Sequence, residues 1–114
     1  MRKCYPENFE PLRYLVARLV RKCPHLTNII LHGLDMCTRA ISHVCRSLPV
    51  TMKGVDMARN PKVTDDDVQQ LMKQCPDLKF LDVSETGVTI QIITGLLEAW
   101  GHCLHSLSLP NTIA

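Results

Sequence analysis

The chain has 114 residues, 46% of them hydrophobic and 21% charged, the balance of one ordinary domain with enough apolar side chains to bury a core. Its net charge of +2, with acids and bases interspersed, offers no basic face for nucleic acid and no polybasic anchor for a membrane. The apolar runs fall well short of a membrane span, and Glu7, Glu10 and two prolines interrupt the stretch where a signal peptide needs an apolar centre.

Residues 1–8 show no periodicity and read as a loosely packed lead-in. From Phe9 to Lys22 the apolar residues Leu12, Leu15, Val16, Leu19 and Val20 recur at helical spacing. Pro11 is tolerated in the first turn, and Arg21 and Lys22 are favoured in the last. This spacing predicts an amphipathic helix, so residues 1–22 are assigned as a lead-in and an N-terminal capping helix.

Residues 23–114 carry one pattern four times. Leu26, Ile29 and Leu31 are followed 26 residues later by Met52, Val55 and Met57, then by Leu78, Leu81 and Val83, then by Leu104, Leu107 and Leu109. All twelve places of this L-x-x-L-x-L spacing are aliphatic, and the period lies in the leucine-rich-repeat range. Each unit reads as a short strand, a turn, a helix and a return. In the first, Thr27 to His32 is the strand, Thr38 is the expected N-cap, and Arg39 to Arg46 is a helix with Ile41, Val44 and Cys45 inward. In the second, Met52 to Ala58 is the strand. Asn60 follows at the place where such repeats put an asparagine that bonds backbone groups of the neighbouring turn. Thr64 then caps a helix that opens with Asp65, Asp66 and Asp67 at its positive end and buries Val68, Leu71 and Met72. The third has its strand at Lys79 to Ser84, a turn at Glu85-Thr86-Gly87, and a helix from Ile90 to Trp100 with Ile93, Leu96 and Leu97 inside. The fourth is the strand His105 to Leu109 and a tail. With no helix after it, its free edge invites self-association through residues 104–114, or coverage by sequence outside this stretch.

Parallel strands need crossovers of about helix length, and these units supply them. The expected fold is therefore α/β: a short leucine-rich-repeat solenoid with parallel strands on the concave face, helices on the convex face and an N-terminal capping helix. Side chains alternate across a strand, so the motif leucines point inward and the residues between them line the concave face. The candidate partner-binding residues are Asn28, Ile30, His32, Asp56, Phe80, Asp82, Ser84, Ser106 and Ser108, with Gly54 and Ala58 on the same face. Phe80 is the informative one: an outward aromatic is either an interface anchor or packs on Ile30 or the chain termini. Asp56 and Asp82 share an offset on adjacent strands about 4.8 Å apart. They make either a small acidic spot for a basic partner or two solvated carboxylates.

Six cysteines in a short chain suggest disulfides only in a secretory context. Cys23 and Cys75 precede the first motif leucine of their units by three residues, at a helix end. Cys45 shares its offset with Leu19, Leu71 and Leu97. These are core places, so reduced thiols are expected, in a cytoplasmic compartment with a nuclear or mitochondrial one as alternatives. No Cys-x-x-Cys pair occurs, so the histidines and cysteines predict no metal, and no cofactor is indicated. Three consecutive aspartates face different directions on a helix and do not converge as ligands. Phosphate loops, nucleophile elbows and zinc-protease helices are all absent from the sequence, and no enzyme is expected.

The segments Cys75-Pro76-Asp77-Leu78-Lys79-Phe80-Leu81-Asp82-Val83, Cys23-Pro24-His25-Leu26 and Val63-Thr64-Asp65 resemble the cysteine-containing leucine-rich repeats, known chiefly from F-box substrate receptors of ubiquitin ligases. The resemblance spans residues 23–114. It departs where Pro49 and Gly101 replace the leading cysteine and Leu34 and Thr86 replace the asparagine. No F-box fits in the stretch before Cys23. The resemblance implies a non-catalytic protein-interaction module, recognising a substrate or partner in an F-box-like ubiquitin-ligase setting. The alternative is a structural or assembly factor resembling the small leucine-rich-repeat-like proteins of mitochondrial respiratory and ATP-synthase complexes.

Overall fold

The computed structural model describes residues 15, 16, 18–34 and 36–111. Residues 1–8 and Leu12 lie outside them, whereas the described part of the predicted capping segment, 15–22 apart from residue 17, is helical. Seven further elements and a short 3-10 turn follow: β1 (Asn28–Ile30), α1 (Thr38–Ser47), β2 (Gly54–Asp56), α2 (Asp65–Gln74), β3 (Phe80–Asp82), the 3-10 turn (Ile90–Ile92), α3 (Ile93–Trp100) and β4 (Ser106–Ser108).

The four strands form one parallel sheet in chain order. Asn28 pairs with Gly54, Gly54 with Phe80 and Phe80 with Ser106, so the pairing advances by 26 residues each time, the period of the sequence. Every strand is shorter than predicted, at three residues. Just beyond each of the first three, the backbone turns through a left-handed residue, Gly33 (φ 66°), Arg59 (φ 60°) and Glu85 (φ 54°), again 26 apart. Glycine takes that conformation freely; arginine and glutamate do so under strain.

One face of the sheet and the helices enclose a single core. Ile29, Val55 and Leu81 meet Ile41, Val44, Cys45, Val68, Leu71, Leu96 and Trp100 there. The motif residues of the two middle units are buried, whereas Leu26, Leu104, Leu107 and Leu109 are only partly so, because each outer unit is covered from one side among the described residues. Asn60 behaves as its place in the pattern requires. It is fully buried, and its Nδ2 donates to the carbonyls of Leu31 (2.8 Å), Met57 (3.0 Å) and Ala58 (3.1 Å), tying the second turn to the first. Thr86, at the same place one unit on, donates only to the Val83 carbonyl and accepts from Val88 N–H (3.3 Å). Trp100 Nε1 ties α3 back to the end of α2 by donating to the Cys75 carbonyl (2.7 Å).

The first turn of α2 is built as expected. Asp67 reaches back to accept from Thr64 N–H (2.9 Å) and, more loosely, from its hydroxyl (3.3 Å). Burial raises the Asp67 carboxyl above its ordinary range, the two Thr64 bonds oppose this, and neighbouring Asp66 adds to the rise. Asp65 serves the next unit, accepting from Thr89 N–H (2.8 Å) and from the Thr89 hydroxyl.

Several expectations are corrected. Leu97 is 59% exposed, and Ile92, Leu96 and Trp100 form the inward stripe. The third helix opens with a 3-10 turn, which rotates further per residue than an α-helix and moves the buried face back by one position. Leu15 is exposed, while Val16 carries the inner face of its helix. α1 begins at Thr38 with Cys37 as its N-cap, without a side-chain bond. Cys75 is buried against the Pro49 carbonyl (3.9 Å), but Cys23 is exposed, because no described turn lies one unit before it. Cys37 is disulfide-bonded, so the reduced-thiol expectation fails there. Cys45 and Cys75 are free and buried. Burial, with smaller contributions from Asp67 and Cys75, raises the Cys45 thiol far above its ordinary value, and burial pushes Cys75 up to about 11. Among the described residues no helix is long and apolar enough to cross a membrane.

Candidate functional site

The face of the sheet turned away from the helices is open, and strand alternation places the sequence-predicted residues on it in rows. Asn28, Gly54, Phe80 and Ser106 form one row; Ile30, Asp56, Asp82 and Ser108 form the next. His32 and Ser84 lie just beyond the strand ends, and Ala58, expected outward with them, is buried, because the strand has already ended and the turn folds it under.

A groove of about 360 Å³ runs across the two rows and is lined by Asn28, Ile30, Gly54, Asp56, Phe80, Asp82, Ser106 and Ser108 over a floor that includes Ile29, Val55 and Leu81. Gly54 makes room for Asn28: with no side chain at 54, the Asn28 amide lies over the strand there, held by an Nδ2 bond to Thr27 Oγ1 (3.0 Å), and Phe80 stands on the far side. Sequence reasoning put Gly54 on this face without seeing its role, although a glycine inside a central strand signals a close approach. Phe80 is 47% exposed. Its ring meets His105 edge-on, centroids 6.0 Å apart at 77°, rather than packing on Ile30, which stands 74% exposed. His105 was not a candidate, since strict alternation puts it on the same side of the predicted fourth strand as Leu107 and Leu109.

The two carboxylates are held by their own turns. Asp56 Oδ1 accepts from Ala58 N–H (2.9 Å) and lies 3.7 Å from His32 Nδ1. Asp82 Oδ1 accepts from Ser84 N–H (3.0 Å) and from the Ser84 hydroxyl (2.7 Å). Such side-chain turns fix a carboxylate's direction. Ser84 is thus spent locally, while Oδ2 of each aspartate makes no hydrogen bond to the described residues. The arrangement combines an aromatic wall, an exposed aliphatic, a glycine floor and two oriented negative charges. It suits an amphipathic cation. Among the described residues no three His, Cys, Asp or Glu side chains are grouped to hold a metal ion.

No protein-family model matches the sequence, and no curated protein matches it either. Among solved structures, the chain is similar to leiomodin-1 actin-binding site 2, with a TM-score of 0.64 over 97% of this chain, at 14% sequence identity. The chain spans 64% of the length of that structure. The likeness is one of fold.

Proposed function

We propose that the chain is a short leucine-rich-repeat solenoid of the cysteine-containing type, and that it acts as a non-catalytic module binding a protein partner on the open sheet face. The single observation that carries this reading is the groove over Gly54, an exposed apolar and acidic surface at the centre of a rigid parallel sheet. Its setting is proposed from the sequence resemblance: recognition of a substrate or partner in an F-box-like ubiquitin-ligase assembly. Actin binding belongs to the name of the leiomodin fragment, and a likeness of fold at 14% identity does not transfer it.

The outer edge of β4, unpaired among the described residues, offers a further contact, for a second copy of the chain.

The test is affinity capture with the wild-type chain and with Phe80→Ala, each matched for thermal stability, followed by direct binding of the purified captured protein. A partner that binds wild type and is lost by Phe80→Ala supports the reading; one retained by both places the interface elsewhere. Recovery of a ligase adaptor supports the ubiquitin setting, and recovery of respiratory or ATP-synthase subunits supports the alternative.

A further inference from the structure

We infer that the groove over Gly54 receives a basic side chain, arginine or lysine, presented by a segment of the protein partner. This rests on the reading of the sheet face as the binding surface. Asn28 and Phe80 stand on the strands flanking β2; the Asn28 amide lies over Gly54, in the place a side chain there would take, and the Phe80 ring rises beyond it. The groove of about 360 Å³ along these residues admits one extended side chain lying on the sheet. Its walls are apolar along the length, from the Phe80 ring to exposed Ile30, which matches the methylene stem of arginine or lysine. A cation passing over the ring face gains a further attraction.

Charge sets the end of the slot. Asp56 and Asp82 are register partners on neighbouring strands, and like charges directly opposite one another destabilise a sheet pair. Among the described residues no lysine or arginine lines the groove. His32 Nδ1 lies 3.7 Å from Asp56 Oδ1, while Lys53, at the opposite end of β2, is turned to Asp77 (3.9 Å). With Oδ1 of each aspartate committed to its turn, both Oδ2 atoms remain as acceptors for one incoming guanidinium or ammonium. An acidic occupant meets repulsion there, and a purely apolar one buries two carboxylates without a partner.

The test is an amide NMR titration of the full chain with N-acetyl-arginine methylamide, and with its citrulline counterpart, which keeps the shape and loses the charge. The expected result is a saturable shift at Gly54, Asp56, Phe80 and Asp82 with the arginine compound and none with citrulline. The double variant Asp56→Asn, Asp82→Asn keeps an acceptor for each turn and should weaken the binding about tenfold. Equal shifts with citrulline, or no saturable shift up to about 50 mM, well past a Kd of a few mM, overturn the inference without needing any variant to fold. In either case loss of the partner on Phe80→Ala would leave the binding surface standing, so the two failures are distinguishable.

Discussion

Replacing Asn60 with alanine removes an amide that bonds three carbonyls, that of Leu31 in the first turn and those of Met57 and Ala58 in its own. The amide has two N–H groups, one of them shared between two carbonyls, and at about 0.5–1.5 kcal/mol net per buried hydrogen bond they give roughly 1–3 kcal/mol. Two terms pull in opposite directions. The variant strands the carbonyls of Leu31 and Met57, which adds to the cost. It also removes Asn60 Oδ1, a buried acceptor without a partner among the described residues, which returns about 1 kcal/mol. The expected loss is about 2–4 kcal/mol. An unfolding entropy of about 2.1 cal/mol/K per residue gives about 0.24 kcal/mol/K for 114 residues, so Tm should fall by roughly 8–17 °C. Thermal and urea melts followed by circular dichroism measure it. The equivalent Thr86→Ala removes a single donor and should cost about 1 kcal/mol. A loss below that figure for Asn60→Ala, or equal losses for the two variants, would refute the claim that the asparagine ties the units together.

Three other expectations follow from the packing. In thiol labelling of the native protein, Cys23 should react fast and Cys45 and Cys75 slowly, since the last two are buried with raised pKa values; equal rates would contradict the core assignment. Arg59→Gly and Glu85→Gly should each raise stability by about 0.5–1 kcal/mol through relief of the left-handed backbone, because their exposed ion pair at 3.5 Å contributes little; Gly33→Ala should lower it by about 1 kcal/mol. For Asp67 the folded state holds its proton more tightly than the unfolded chain, so stability is greatest below the ordinary value of 3.8 and falls as pH rises from there through the raised folded value. Asp67→Asn keeps an acceptor for Thr64 N–H and should flatten that part of the profile in denaturant melts across pH; an unchanged slope would contradict the assignment.

The parallel sheet was legible because one constraint repeats: aliphatic residues at three offsets every 26 residues leave one register in which all inward places are filled, and the strands pair in it. Asn60 and the Thr64 helix start were legible for a similar reason, since each is a local bond that the residue type dictates. Leu97 was misplaced because a 3-10 turn changes the helical phase without any signal in the apolar spacing. Cys23 and Leu15 were misplaced because burial at the first unit depends on what neighbours it, which periodicity does not encode. In the site, alternation put Phe80, Asp56 and Asp82 on one face correctly. What it could not convey is that the Asn28 amide lies over Gly54, where the missing side chain leaves it room, and the local turns that consume one oxygen of each aspartate.

The binding claim is tested most directly by measuring stability and partner affinity together for Phe80→Ala and Leu81→Ala, neighbours on one strand that face opposite ways. Leu81 is buried, and its truncation should cost about 2–5 kcal/mol of stability as a cavity. Phe80→Ala should cost less than about 1 kcal/mol of stability yet weaken the partner by about 1–3 kcal/mol. If Phe80→Ala leaves both quantities unchanged, the open sheet face is not the binding surface.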